Sequence, residues 1–204
     1  MFNLIPVFCS NDIMSLVRAL PGSTAQGLIW GIMAIGVFLT FKILDFADLT
    51  VDGTFGTGGA VTVMLILAGY PPVVAVGIAF LAGMLAGIVT GILHTVFGIP
   101  AILSGILSQI ALYSVNLNIA QGRANQAVSV DLYHLVVSGR NNPLTIITVA
   151  FVILVMIALL YWFFGTETGF TIRATGCNEN MSRAQGINTS VAKVVALAFS
   201  NGIV

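Results

Sequence analysis

Long uncharged stretches alternate with short clusters of charged residues along this sequence. No Asp, Glu, Lys or Arg occurs in 19–41, 53–122 or 141–166. Each stretch reaches the ~20 apolar residues that a helix needs to cross the ~30 Å hydrocarbon core of a bilayer. The pattern therefore predicts several membrane-spanning helices joined by polar connections.

Prolines divide the long middle stretch into more than one crossing. Pro71-Pro72 follows Gly69-Tyr70, and Pro100 follows Phe97-Gly98-Ile99, and proline ends a helix and restricts the residue before it. The predicted helices are 24–44, 55–69, 73–96, 100–119 and 144–164. The second, of about 15 residues or ~22 Å, either starts in the preceding loop or does not cross fully.

The two ends of the sequence add one segment each. A sixth apolar run begins near Ser190 and reaches only about half a bilayer before Val204, which indicates an incomplete C-terminus. Within 11–20, apolar positions recur at helical spacing opposite Asp12 and Arg18, a pattern typical of a short interfacial helix. The expected fold class is all-α, a polytopic transmembrane helix bundle with about six membrane segments.

Composition agrees with a surface that faces lipid. Hydrophobic residues make up 58% of the chain and charged residues 7%, whereas soluble domains carry roughly 25% charged residues. Net charge is zero, with seven basic and seven acidic residues, and no basic stripe supports nucleic-acid binding. The sequence has no Gly-x4-Gly-Lys-[Ser/Thr] loop, Gly-x-Ser-x-Gly elbow or Cys/His cluster. We therefore expect no ATP or other cofactor on this chain and no enzyme of those classes.

A stripe of glycines recurs every four residues at Gly83, Gly87 and Gly91. Small residues at this spacing let a neighbouring backbone approach a membrane helix closely. The stripe predicts helix packing inside the bundle or, alternatively, the seam of a homodimer.

Three of the seven acidic residues, Asp45, Asp48 and Asp52, lie together beside the first predicted span. On a helix, their i, i+3 and i+7 spacing would place them on one face. Glycines at 53, 56, 58 and 59 weaken the helix that follows. Two interpretations stay open: a broken helix whose carboxylates line a translocation cavity, or a polar hairpin at the interface.

The predicted helix 100–119 carries Ser104, Ser108 and Asn116 near one face. In lipid, such side chains must find partners inside the bundle, either on other helices or along a polar pathway. The candidate pathway residues are Asp45, Asp48, Thr50, Asp52, Thr54, Ser104, Ser108 and Asn116.

Two long polar connections remain, 118–142 and 167–188. The second, with its flank, holds three of the seven basic residues, Arg173, Arg183 and Lys193. The positive-inside rule then places it in the cytoplasm and, by alternation, places 118–142 outside. Residues 178–184 predict a short surface helix that Gly186 ends.

The motif Arg173-Ala174-x-Gly176-x-Asn178, followed by Ala184-x-Gly186-Ile187-Asn188, resembles the cytoplasmic loop of ABC transporter permeases of the branched-chain amino acid and ribose type. The stretch 27–45 looks like the first core helix of that family. Asp48-Leu-Thr-Val-Asp52-Gly53 is similar to a branch associated with aromatic or other amino-acid-like substrates. The resemblance covers essentially the whole chain, 1–204, as a partial permease domain.

The resemblance implies a permease subunit of an ATP-driven importer of a small solute, an amino acid or related metabolite, in the bacterial plasma membrane. It implies three partners within the lipid bilayer or beside it: a cytoplasmic ATPase, an external solute-binding protein and a second permease copy. The segment 167–188 would dock on the ATPase. The motif carries this coupling role to Arg173, Ala174, Gly176, Glu179, Ala184 and Gly186.

One alternative to this interpretation is an ion-coupled secondary transporter or channel. In that case Asp45, Asp48 and Asp52 would couple transport to protons or sodium.

Overall fold

The computed structural model describes residues 11–123 and 143–204, and over these ranges the chain forms helices and no strands. A π-helical turn, Leu39–Ile43, continues the first helix. The α-helices of the described ranges are α1 (Asn11–Phe38), α2 (Thr50–Leu67), α3 (Pro72–Thr95), α4 (Ala101–Ile119), α5 (Pro143–Phe164), α6 (Glu167–Cys177), α7 (Glu179–Ala184) and α8 (Thr189–Ile203). The predicted all-α class is confirmed.

Five helical stretches are long and apolar enough to cross a membrane. They are Ala19–Ile43, Thr50–Leu67, Pro72–Thr95, Ala101–Ile119 and Ile146–Phe164. The shorter apolar helix α8 accompanies them, which confirms the prediction of about six membrane segments. The connection 118–142, predicted on the outer side, lies largely outside the described residues.

Prolines and polar caps set where the helices begin. Helix α3 follows Pro71 and has Pro72 as its first residue, and α4 follows Pro100, because a fixed φ and a missing N–H suit a helix start. Helices α6, α7 and α8 each begin after a residue whose side chain accepts a backbone N–H three residues on. These capping residues are Thr166, Asn178 and Asn188.

Helix α1 starts earlier than the predicted 24–44. It runs without a break from Asn11, so that 11–20 is helical but is not a separate element. Pro21 removes one backbone donor without ending the helix, and the Thr24 hydroxyl donates to the Pro21 carbonyl at 2.9 Å. The position of 11–20 at a membrane interface stays a prediction.

Helix α2 begins at Thr50, inside the preceding segment, rather than at the predicted 55. Its glycines do not shorten it, and two of them bring it against α4. A Cβ on Gly53 would lie 3.2 Å from the Gln109 Cα, and one on Gly56 would lie 3.1 Å from Asn116 Nδ2. Close packing thus offsets the poor helix propensity of glycine.

Helix α6 was not predicted from the sequence. It packs against the bundle end where α1 and α5 finish and α8 begins, and it buries Ile172 there. The apolar cluster at this end consists of Leu39, Leu44, Phe46, Phe164, Ile172, Ala196 and Leu197.

The glycine stripe of α3 faces α8. A Cβ on Gly83 would meet the Asn201 carbonyl, one on Gly87 would meet the Leu197 carbonyl, and one on Gly91 would lie 3.0 Å from the Val194 Cα. The two backbones therefore touch along the stripe, and this face is occupied within the chain rather than open to a second copy. The contact also positions Asn201, whose carbonyl lies against Gly83.

Candidate functional site

The chain turns back into the bundle between α1 and α2. Asp45 adopts the left-handed conformation, with φ of +56°, and the Phe46 N–H donates to the Thr40 carbonyl at 3.0 Å. Farther along, Leu49 passes close to α4, where a Cβ on Gly105 would lie 2.8 Å from the Leu49 nitrogen. Helix α2 consequently starts in the interior of the bundle.

The three acidic residues of this region separate. The prediction that Asp45, Asp48 and Asp52 share one helix face is wrong, because 44–49 is not helical. Asp48 is 7% exposed, whereas Asp45 and Asp52 are exposed. Only Asp48 enters the interior among the helices.

Asp48 is held by a buried polar cluster. Its Oδ1 accepts the Thr50 N–H at 2.8 Å, and its Oδ2 accepts from Asn201 Nδ2 at 2.7 Å. The Asn201 Oδ1 in turn accepts the Thr54 hydroxyl at 2.9 Å. Both oxygens of the carboxylate and the amide of Asn201 are thereby paired, which buried polar groups require.

A second polar chain crosses from α2 through α3 to α4. The Thr50 and Thr90 hydroxyls lie 3.0 Å apart, and Thr90 donates to the Ser108 hydroxyl at 2.8 Å. Ser104 is buried as well, but its hydroxyl donates to the Ala101 carbonyl of its own helix at 2.8 Å. The structure therefore brings Asp48, Thr50, Thr54 and Ser108 together and leaves Ser104 apart.

Two cavities flank α2. The larger, of about 560 Å³, lies among α2, α3, α5 and α8, with Thr54, Thr62 and Asn201 as the polar side chains in an otherwise apolar wall. The smaller, of about 430 Å³, is a groove between α2 and α4. We call it the α2–α4 groove, and its wall consists of Asp52, Gly53, Gly56, Gln109, Ile110, Tyr113 and Asn116.

Two residues of the buried cluster, Thr90 and Asn201, escaped the sequence reasoning. A polar side chain within an apolar membrane helix has to find a partner, and this rule alone would have marked both of them. The identity of their partners depends on the α3–α8 contact, which no local pattern states.

The segment 167–188 is tied to the end of the bundle. Gly176 lies against the Ile43 carbonyl, where a Cβ would have no room. The Arg173 guanidinium donates to the Phe164 carbonyl at 3.1 Å and lies 5.3 Å from the centre of the Phe164 ring. Ala184 and Gly186, in contrast, are exposed.

Glu179 anchors α7 to α8. One carboxylate oxygen pairs with Arg183 and the other with Lys193, each at 2.8 Å, and Thr189 donates to the first oxygen at 3.2 Å. The hydrogen bond from Lys193 is the largest of the effects that lower the pKa of Glu179 below its ordinary value. The carboxylate thus stays charged at neutral pH.

Lys193 connects Glu179, through His94, to the segment 44–49 that carries Asp48. Its Nζ lies 3.5 Å from His94 Nε2, and His94 Nδ1 lies 2.8 Å from the Ile99 carbonyl. Because a carbonyl only accepts, Nδ1 carries the proton and Nε2 is free to accept from Lys193. The Phe46 ring packs edge-on against His94, 4.9 Å between ring centres.

The family model that matches this chain describes permease components, and two of its relatives are permease proteins. The family model described as the permease component of branched-chain amino acid transport systems matches residues 20–203. The tyrosine transport system permease protein of Clostridioides difficile (strain R20291) is 40% identical over 88% of this chain and 59% of its own length. The ribose import permease protein RbsC of Escherichia coli (strain K12) is 27% identical over 92% of this chain and 57% of its own length.

The chain therefore spans somewhat less than two thirds of the length of these relatives. No solved structure matches it. Because the family model covers nearly the whole chain and five helices have the length and apolarity of membrane spans, the chain is a multi-pass protein of the bacterial inner membrane and belongs to the family of permease components of branched-chain amino acid transport systems.

Proposed function

We propose that this chain is the membrane-spanning permease subunit of an ATP-driven importer of a small solute. The observation that carries the proposal is α7, a short capped helix at the end of the bundle. Glu179 anchors it to α8, while Ala184 and Gly186 stay exposed. Small exposed residues at the end of an anchored helix suit close docking to another protein.

The proposal assigns a cytoplasmic ATPase as the partner that docks on α7, and ATP is bound by that partner rather than by this chain. The excess of basic residues around α6 and α7 supports the cytoplasmic location of this end. A solute-binding protein delivers the solute at the opposite face, and a second copy of the permease completes the transporter as a homodimer.

The proposed substrate is an amino acid or a related metabolite. Its support is the similarity to a tyrosine transport system permease at 40% identity, compared with 27% for a ribose import permease. A sugar is the competing substrate class.

An ion-coupled secondary transporter or channel is the rival function, and the buried carboxylate of Asp48 favours it. Ionisable side chains inside a membrane bundle commonly mark ion or proton pathways. In the structure, however, both Asp48 oxygens are already engaged by Thr50 and Asn201.

The test is co-purification of the protein, expressed from its own gene, with the ATPase encoded beside it. The variant Gly186→Arg places a bulky cation on the docking surface and is expected to lose the ATPase. Gly69→Arg is the matched control, since both glycines have positive φ, +84° and +89°, and open space around them. The two changes therefore strain the backbone alike, but Gly69 follows the C-terminus of α2 and does not belong to the proposed docking segment 167–188.

Uptake in proteoliposomes completes the test, with tyrosine, leucine and ribose as solutes. ATP-dependent uptake of an amino acid by the wild-type complex, lost in Gly186→Arg and kept in Gly69→Arg, is the expected result. Uptake that needs an ion gradient and no ATPase would instead establish the rival function.

A further inference from the structure

We propose that the α2–α4 groove faces the solute pathway and that Asp52 and Asn116 bind the ammonium group of the solute there. The inference rests on the proposed function, because it names the chemistry by which that transporter recognises its cargo.

The groove lies at membrane depth. Gln109 stands about 12 Å along α4 from Ala101, and Asn116 about 22 Å, at 1.5 Å per residue. A Cβ on Gly53, the neighbour of Asp52, would lie 3.2 Å from the Gln109 Cα, so that Asp52 stands near the level of Gln109. The whole of α4 is a candidate membrane span.

Asp52 is exposed at this depth. Among the residues that the structure describes, no hydrogen bond or ion pair reaches its carboxylate. A carboxylate facing hydrocarbon is strongly unfavourable, and such residues face a bundle interior or a water-filled cavity. The side of α2 that carries Asp52 therefore does not face lipid in the assembled transporter.

Asn116 lines the same groove and contacts Gly53, the neighbour of Asp52. Its Nδ2 donates to the Gly53 carbonyl at 3.2 Å. Its Oδ1 is the one buried side-chain nitrogen or oxygen atom of the described residues that has no hydrogen-bond partner. Buried polar atoms are nearly always paired, and a bound ligand is one way to pair this atom.

The lining of the groove selects for a cation. A carboxylate and an amide oxygen accept hydrogen bonds, and none of the described residues that line the wall is a Lys, Arg or His. An ammonium group offers three donors to these acceptors. The volume of about 430 Å³ suits a small solute, and Tyr113 and Ile110 give its apolar part a surface.

Asp48 is the weaker candidate for this role. Its two oxygens are occupied by Thr50 and Asn201 inside the bundle, so that a solute would have to displace both. Asp52 needs no such displacement.

The first test measures water access, and it can be scored with or without an ATPase. In a background with Cys9 and Cys177 changed to serine, Asn116→Cys is expected to react in membranes with a charged, membrane-impermeant maleimide. Leu107→Cys is the control, because Leu107 lies on the same helix, is 44% exposed and does not line the groove. Equal labelling of the two variants, or none of Asn116→Cys, would overturn the proposal.

The second test measures recognition, with tyrosine and its deaminated analogue 3-(4-hydroxyphenyl)propanoate as probes. Asp52→Asn is expected to raise the KM for tyrosine by about tenfold or more, the usual scale for losing a charge-assisted contact, with the ATPase still bound. Asn118→Ala, at an exposed position of α4 outside the groove, should transport as wild type. The wild type should discriminate against the analogue.

The outcomes separate this inference from the proposed function. Uptake of tyrosine that Asp52→Asn leaves unchanged overturns the ammonium site while the permease assignment stands. Uptake of ribose alone does the same. If no ATPase associates and no solute enters, the proposed function itself fails.

Discussion

At the scale of single residues, a buried polar cluster lies between α2 and α8, and its side chains satisfy one another. Asp48, Asn201 and Thr54 form one connected cluster without a basic partner among the described residues. Hydrogen bonds to a charged group are stronger than neutral ones, and the loss of one partner leaves the other unpaired and buried. The amide of Asn201 is the residue on which this cluster depends.

Asn201→Leu removes the group that donates to Asp48 and the group that accepts from Thr54. We expect the variant to lose about 3 kcal/mol of stability, since it strands a buried carboxylate oxygen. Thermal unfolding in detergent measures the loss. Asn118→Leu, at an exposed position of α4, should change little, and equal melting of the two variants would contradict the cluster's role.

Glu179 predicts a dependence of stability on pH. Because Lys193 lowers the pKa of Glu179 in the folded protein, the pair stabilises above the unfolded value of 4.5 and the stabilisation fades as pH falls through the lower folded value. Partial exposure limits the effect at neutral pH to about 1 kcal/mol or less.

Melting temperatures of wild type and Glu179→Gln, recorded at steps from pH 7 downwards, give the measurement. The wild type should melt higher at pH 7, and the gap should close below pH 4.5. A gap that persists unchanged at the lowest pH would show that the ion pair is not its cause.

Sequence reasoning at this scale found side chains but not their partners. Residue type and position marked Asp48, Thr50, Thr54 and Ser108, because a polar group in an apolar segment is conspicuous. It also grouped Asp45 with them, since a helical extrapolation ignored the left-handed turn that separates Asp45 from Asp48.

At the scale of elements, the prolines were reliable and the glycines misleading. Pro72 and Pro100 mark helix starts for a reason internal to the backbone. Gly53 and Gly56 have a low helix propensity, which predicts a weak helix. They nevertheless lie within α2, because α4 packs against them. Propensity is local, whereas the packing that overrides it belongs to another helix.

The α3–α8 contact gives a prediction with a control on the same helix. Gly87→Ala should destabilise by about 1–3 kcal/mol through overpacking, because a Cβ there would meet the Leu197 carbonyl. Gly77→Ala has open space and should stabilise by up to about 1 kcal/mol through helix propensity.

Thermal unfolding of both variants in the same detergent shows the difference in sign. If Gly87→Ala were as stable as Gly77→Ala, the backbones of α3 and α8 would not be in contact along the stripe.

At the scale of the whole molecule, the number of spans followed from where charges are absent, since lipid admits few of them. The arrangement of the spans did not follow, because the pairing of α3 with α8 joins segments about a hundred residues apart. The same holds for the link from Glu179 through Lys193 and His94 to Phe46. Three of its residues lie on different helices and Phe46 lies in the connection before α2, so that only folding brings them into contact.

The inward turn before α2 also has an electrostatic consequence. A helix carries roughly half a positive charge at its N-terminus, from backbone N–H groups that lack helical partners. Since α2 starts within the bundle, this partial charge is buried there, and the Thr50 N–H donates to Asp48. The macrodipole of α2 therefore serves as counter-charge to the buried carboxylate, in the place where a soluble protein would use a lysine or arginine.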